Sequence, residues 1–364
     1  MTETNLTAAQ ERYSNLDGLR GIAALAVVLA HIELHKPDFG FQRLPIPFLL
    51  SLGSVAVTIF FVLSGFVITN LLLKETVKNN TINTRNFYIR RVLRIFPLYF
   101  LVLLLGFLIY AGSMSVKGIL LSVFFLPNLA YLQFLLPAIL HPIWSIGVEE
   151  QFYAVHPFIM RFINRKKLPM LFAVLILVEI FSRNLYLLPI LKPYNFFYWL
   201  HNFLLFARYD TILLGCMAAI YFNRLTDKSN NQQLHLFTKK TQFALLLLFG
   251  VLLYFTVMYN VELHELYAGI TAILILNLCR PATSIISISS KPFIFLGKIS
   301  YGIYLIHKFG LYAVLYLFSK IAPAGLFVQN IIIYIAVAAV SILLAWLSYT
   351  YYESYFLQKK AKYS

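Results

Sequence analysis

The ionisable side chains that interrupt apolar runs are the ones in this chain that can do chemistry, and His31 comes first. The stretch from Asn15 to His35 reads NLDGLRGIAALAVVLAHIELH, with Arg20 and His31 bracketing the apolar run from Gly21 to Ala30. On a helix these two side chains lie about 20° apart around the axis and about 16 Å apart along it, so they share a face. Arg20 sits at the rim of a bilayer and His31 inside it. An ionisable group at that depth is costly unless it faces a protein interior or a water-filled cavity, which makes His31 a functional-site candidate. The alternative is an interfacial histidine near a helix end.

Four further constellations carry polar groups into apolar surroundings. In RNFYIRRVLRIFPLYF, Arg91 and Arg94 are i, i+3 neighbours at the start of a span, with Arg90 one turn before Arg94. Planar guanidiniums bind phosphate oxygens bidentately, so this pair can hold a phosphorylated cofactor arriving from the cytosol; its alternative is a topology anchor. In HPIWSIGVEEQFYAVHPF, Glu149 and Glu150 stand between Trp144 and Tyr153, and Glu149 shares a face with Tyr153 one turn on. Buried carboxylates in a membrane need a partner or a proton to carry, and a structural ion pair would serve equally. In RYDTILLGC, Arg208 and Asp210 are two residues apart and cannot face each other, so each should bond a third group, in a structural network or with a polar ligand. In FFVLSGFVIT, Ser64 and Gly65 sit mid-span, where small residues favour close helix approach over a catalytic serine.

The elements that must position these residues are membrane helices. Hydrophobic residues make up 60% of the 364, and apolar runs of about 20 residues recur along the chain, which excludes a soluble enzyme. Lys and Arg outnumber Asp and Glu by 30 to 14, but they cluster in short loops between apolar runs, the positive-inside pattern and not a nucleic-acid surface. The polar, acid-containing start MTETNLTAAQERYS has no basic n-region, so the first span is expected to be retained. Cys216 and Cys279 both lie in apolar runs, implying neither a disulfide framework nor a metal site.

Eleven apolar candidates occur, at 16–34, 51–73, 95–111, 118–138, 143–160, 168–190, 200–222, 242–259, 262–279, 292–318 and 327–351. The strongly basic segments 74–94, 161–167, 223–241, 280–298 and the tail with Lys359, Lys360 and Lys362 should all be cytoplasmic, so an even number of crossings must separate them. One of the three candidates between the first two basic loops must then fail to cross. Pro127, Asn128 and Pro137 single out 118–138. The expectation is an all-α polytopic membrane protein of about ten transmembrane helices plus one re-entrant or broken segment, both termini cytoplasmic, with a single membrane domain over 1–364.

Together, Asp17 to Arg20 with His31, FFVLSGFVIT, RRVLRIFPLY, WSIGVEEQFY, RYDTILLG, GKISYGIYLIH (Gly297 to His307) and TYYES (Thr350 to Ser354) resemble the acyltransferase-3 family of bacterial membrane O-acyltransferases. The resemblance runs from about residue 15 to 354. It implies a ten-helix domain of the bacterial inner membrane that moves an acyl group, usually acetyl, from cytoplasmic acyl-CoA to a carbohydrate hydroxyl. The acceptor would be lipopolysaccharide O-antigen, exopolysaccharide or another cell-surface glycan, and no metal is called for. The family's histidine matches His31, its arginine matches Arg20, and its paired arginines match Arg91 and Arg94. Relatives with an additional SGNH esterase-like domain are longer, and such a domain is not expected here.

A sugar hydroxyl attacks a thioester slowly unless a base takes its proton. That role falls to His31, with Glu149 orienting it or relaying the proton. Arg91 and Arg94 would hold CoA phosphates and Arg20 the thioester arm, while Asp17, Trp144, Glu150, Tyr153, Arg208 and Asp210 would bind substrate or form the supporting network. An acyl-histidine intermediate stays open beside direct transfer. A proton-coupled transporter or flippase for a glycan-related substrate is the rival class, although no paired halves with matching broken helices are visible. The loops at 35–50 and 188–201 carry no recognisable sugar-binding signature.

Overall fold

The computed structural model describes residues 3–112, 114–227, 238–261, 263–280, 284–321 and 326–363, and all regular structure among them is helical. The series begins with α1 (Glu3–His35), α2 (Phe48–Asn79) and α3 (Thr84–Ile109). Two short helices follow, α4 (Val116–Val123) and α5 (Pro127–Leu132), and then α6 (Ile143–Phe162) and α7 (Leu168–Asn184). Next come α8 (Asn195–Ala207), α9 (Tyr209–Asp227), α10 (Lys239–Tyr259) and α11 (His264–Leu278). The last are α12 (Lys291–Ser319), α13 (Leu326–Ser348) and, after a π-helical turn at Tyr349–Glu353, α14 (Ser354–Lys360). Side-chain caps start three of them: Asn83 accepts from the Asn86 amide, Ser115 from Gly118 and Thr238 from Thr241.

Among the described residues, seven helices are long and apolar enough to cross a membrane, or eight if α8 and α9, bent by 40°, form one span. This is a multi-pass membrane protein. Side chains such as Leu177 and Phe181 of α7 and Phe243 and Leu247 of α10 are exposed, as lipid-facing residues are. Each of the ten expected spans coincides with a helix or with the bent pair, but composition alone does not support the full count. Helix α11 has only 15 residues, and α6, at 20 residues, is made too polar by Glu149, Glu150, Gln151 and His156. The expected break at 118–138 is present: α4 has 8 residues and α5 has 6, far short of the roughly 20 that a span requires. Phe125, at φ 58°, turns the chain between them. Gln151 of α6 satisfies the interrupted backbone and its neighbour, its amide donating to the Phe125 carbonyl at 3.1 Å and to the Asn128 side chain at 2.9 Å.

The chain divides into two compact units, the first made of Met1–Phe60 with Asn230–Phe356 and the second of Phe61–Ser229 with Leu357–Ser364. In the first, Ala24, Val28 and Ile32 of α1 meet Ile299, Ile303 and Leu311 of α12 and Ile333 and Val337 of α13 in one buried core. Helices α1 and α12 run parallel, because Asp17 abuts Gly297 near their starts while His31 and His35 meet His307 and Tyr312 further along. A Cβ at Gly297 would fall 2.2 Å from the Asp17 carbonyl oxygen, so only glycine allows this approach. In the second unit α2 crosses α9 as closely. A Cβ at Gly65 would lie 2.0 Å from the Ile212 carbonyl oxygen. A parallel α1 and α12 is what ten crossings require of the first and ninth.

The topology can be read by thiol labelling in a background lacking Cys216 and Cys279. Cysteines at Gly112 and His141, on either side of the broken segment, should both react with a membrane-impermeant reagent added outside, while one at Lys166 stays protected. Labelling at only one of the first two would mean that 118–138 crosses.

Candidate active site

In the first unit, the α1–α12 contact brings His31 to His307. His31 is half-buried and His307 fully buried, and His31 Nδ1 lies 2.8 Å from His307 Nε2. On its far side, His307 Nδ1 faces the carbonyl oxygens of Tyr304 at 2.8 Å and Ile303 at 3.1 Å. One turn beyond His31, His35 Nδ1 is 2.7 Å from the Asp38 carboxylate and 3.3 Å from the Tyr312 hydroxyl. Below them, Arg20 pairs with Asp17 at 3.3 Å, its side chain about a quarter exposed.

The end of α1 is fixed by a buried ionic cluster that sequence reading left unassigned. Lys36, fully buried, bonds the Glu33 carboxylate and the Asn330 side-chain oxygen, and its ammonium lies 5.2 Å from the centre of the Tyr334 ring. Glu33 also accepts from the Tyr334 hydroxyl at 2.5 Å and from the Leu44 amide at 2.9 Å, which ties α13 and the following loop to α1. Its signal in the sequence was the i, i+3 spacing of Glu33 and Lys36 at the apolar run's end. His307 carried a weaker signal, as the last residue of GKISYGIYLIH.

The second unit collects Glu149, Tyr153, Arg91 and Ser64. Ser64 donates to Glu149 Oε1 at 2.9 Å, and the Tyr153 hydroxyl lies 3.0 Å from Glu149 Oε2 and 3.1 Å from Ser64 Oγ. The Glu149–Tyr153 bond joins residues one turn apart on α6. Arg91 places its guanidinium 5.6 Å from the ring centres of both Tyr153 and Phe87. Gly65 makes the close helix approach, while Ser64 holds the carboxylate. Glu150 Oε1 is buried without a hydrogen-bond partner among the described residues. Arg94 is half-buried one turn beyond Arg91, and Arg90 pairs with Glu75 at 3.3 Å.

The RYDT motif lies at the break between α8 and α9. Arg208 adopts left-handed geometry (φ 50°, ψ 41°), which ends α8, and its guanidinium lies 6.0 Å from the Trp144 ring centre. Asp210 stands in the first turn of α9 and lies 3.8 Å from Arg183 of α7, and Glu179 of α7 accepts from the Tyr209 amide at 3.1 Å. Arg208 and Asp210 thus each meet a third group. Among the described residues no three His, Cys, Asp or Glu are grouped to hold a metal ion.

The chemistry available is therefore proton transfer at an imidazole whose Nδ1 is engaged, and, separately, a carboxylate gripped by two hydroxyls next to a guanidinium. Comparison with known proteins gives these groups a setting. Residues 13–350 match the acyltransferase-3 family model, described as an acyltransferase domain. Among curated relatives, the Listeria monocytogenes peptidoglycan O-acetyltransferase OatA is 29% identical over 324 residues, covering 80% of this chain and 48% of that protein. A Bacillus subtilis protein provisionally named a peptidoglycan O-acetyltransferase is 28% identical over 338 residues, covering 85% of this chain and 50% of its own length. A Staphylococcus aureus protein provisionally named an O-acetyltransferase is 27% identical over 377 residues, covering 95% of this chain and 58% of its own. The chain spans about half the length of the curated relatives it matches. No solved structure matches it significantly. With a match that takes in the aspartate and arginine of α1, both histidines, the Arg91 and Arg94 pair and the α6 carboxylates, the chain belongs to the acyltransferase-3 family.

Proposed function

We propose that the protein is an O-acetyltransferase that takes an acetyl group from acetyl-CoA on the cytoplasmic side of the bacterial inner membrane and delivers it to a carbohydrate hydroxyl of the cell envelope. The names of the relatives favour peptidoglycan as the acceptor over lipopolysaccharide or exopolysaccharide. The observation that carries the reading is His31: an imidazole inside the first span whose Nδ1 is already engaged, 2.8 Å from His307. The family match covers most of each unit, and we read the chain as one acyltransferase domain with its termini in the cytoplasm.

In this reading His31 takes the proton of the acceptor hydroxyl as its oxygen attacks the thioester carbonyl. The new C–O bond forms, the C–S bond breaks, and the departing CoA thiolate receives the proton from the imidazolium. Arg91 and Arg94 hold phosphate oxygens of the donor, and Arg20, steadied by Asp17, guides its thioester arm. Glu149 is the second proton-handling group, positioned by Ser64 and Tyr153.

Purified protein incubated with labelled acetyl-CoA should release CoA thiol and label a glycan acceptor. His31→Ala should lower transfer by about 10² to 10⁴ while folding stays near wild type, since the half-buried ring is assigned to chemistry and not packing. Full activity in that variant would overturn the assignment. Replacing Arg91 and Arg94 together with Gln should weaken acetyl-CoA binding much more than binding of an acetyl-pantetheine fragment lacking phosphates. A Lys pair keeps the charge but loses the fork, so it should fall between the two. Equal losses for both ligands would argue against phosphate binding.

A further inference from the structure

We infer that His307 is a positioning residue that fixes His31 as its Nδ1–H tautomer, so that the nitrogen left to accept a proton is Nε2. This rests on the reading of His31 as the base and goes further, because it names the reacting atom and the group that selects it.

His307 Nδ1 faces two backbone carbonyl oxygens, from Tyr304 at 2.8 Å and Ile303 at 3.1 Å, and carbonyls only accept. Nδ1 of His307 must carry the hydrogen. Complete burial of the ring favours its neutral form, in which the other nitrogen, Nε2, has a lone pair and no hydrogen. That lone pair is 2.8 Å from His31 Nδ1, so the hydrogen between the rings belongs to His31. Ring geometry agrees. With centroids 4.9 Å apart, planes 14° apart and this short N···N distance, the imidazoles meet edge to edge, as an in-plane N–H···N bond requires, and not face on face. Which nitrogen of a histidine reacts is set by the bond the other nitrogen makes.

The bond also favours the charged intermediate over the resting state. When His31 accepts a proton at Nε2, its ring becomes cationic and the Nδ1–H···Nε2 bond becomes charge-assisted. An interaction that strengthens as charge develops lowers the barrier and not merely the energy of the bound substrate. The loss on removing His307 should therefore fall on kcat and leave the KM for acetyl-CoA nearly unchanged.

Two substitutions separate this role from packing. His307→Gln can present its carbonyl oxygen where Nε2 stood, and His307→Leu removes the acceptor while keeping most of the volume. The full chain, labelled with ¹⁵N at histidine and held in lipid nanodiscs, reports each tautomer from its nitrogen shifts, with the His31 signals identified by their loss in His31→Gln. In the wild type His31 should show a protonated Nδ1 and an unprotonated Nε2. His307→Gln should keep that pattern and most of the activity. His307→Leu should shift His31 towards Nε2–H and lower kcat by about tenfold or more. A wild-type His31 protonated at Nε2 overturns the inference even if neither variant folds, and so do equal kcat losses in Gln and Leu. The expected tautomer in a protein that transfers no acetyl group would instead support the positioning role and count against the proposed activity.

Discussion

Helices α1 and α12 touch backbone to backbone, and the first unit depends on that contact. Lipid offers no hydrophobic drive for two helices to associate, so close packing and interhelical hydrogen bonds must supply it. Gly297 against the Asp17 carbonyl provides the first, and Ile299 and Ile303 against Ala24 and Val28 extend it. Further along, the same parallel course brings His307 within bonding distance of His31. A larger residue at Gly297 would push the helices apart at one end and swing the two rings out of reach at the other. The buried Glu33–Lys36 pair, tied to Asn330 and Tyr334, fixes α1 to α13 beyond the histidines. His31 thus stands between two fixed points.

The second unit solves a different problem, that of keeping a polar helix among apolar ones. Helix α6 carries two adjacent glutamates and a glutamine, and each side is met by a different element: Ser64 of α2 and Arg91 of α3 reach the Glu149–Tyr153 face, while Gln151 braces the broken α4–α5 segment. The broken segment and the polar helix explain one another. Interrupted backbone needs a donor at membrane depth, and Gln151 needs acceptors there.

Sequence revealed the local part of this arrangement and missed the non-local part. The shared face of Glu149 and Tyr153 and the break at Pro127 follow from helical periodicity and from the restrictions on proline. The His31–His307 bond joins residues 276 apart, and no pattern within either helix announces it. Similarly, nothing around Arg208 signals the left-handed turn that splits α8 from α9, since that conformation is ordinarily taken by glycine or asparagine. The partners of Arg208 and Asp210, Trp144 and Arg183, come from other helices. Loop charge points to ten spans and apolarity to seven or eight, because α6 trades apolar length for its carboxylates and α11 is short.

Proton removal at His31 is the centre of the account, and a structure with a bound donor tests it most directly. The protein should be solved in nanodiscs with a thioether analogue of acetyl-CoA, which cannot transfer its acyl group. The account predicts that the acyl end lies beside His31 with Nε2 facing it and with Nδ1 still bonded to His307. An acyl end seated away from α1, with Nε2 of His31 turned to protein or lipid, would contradict it.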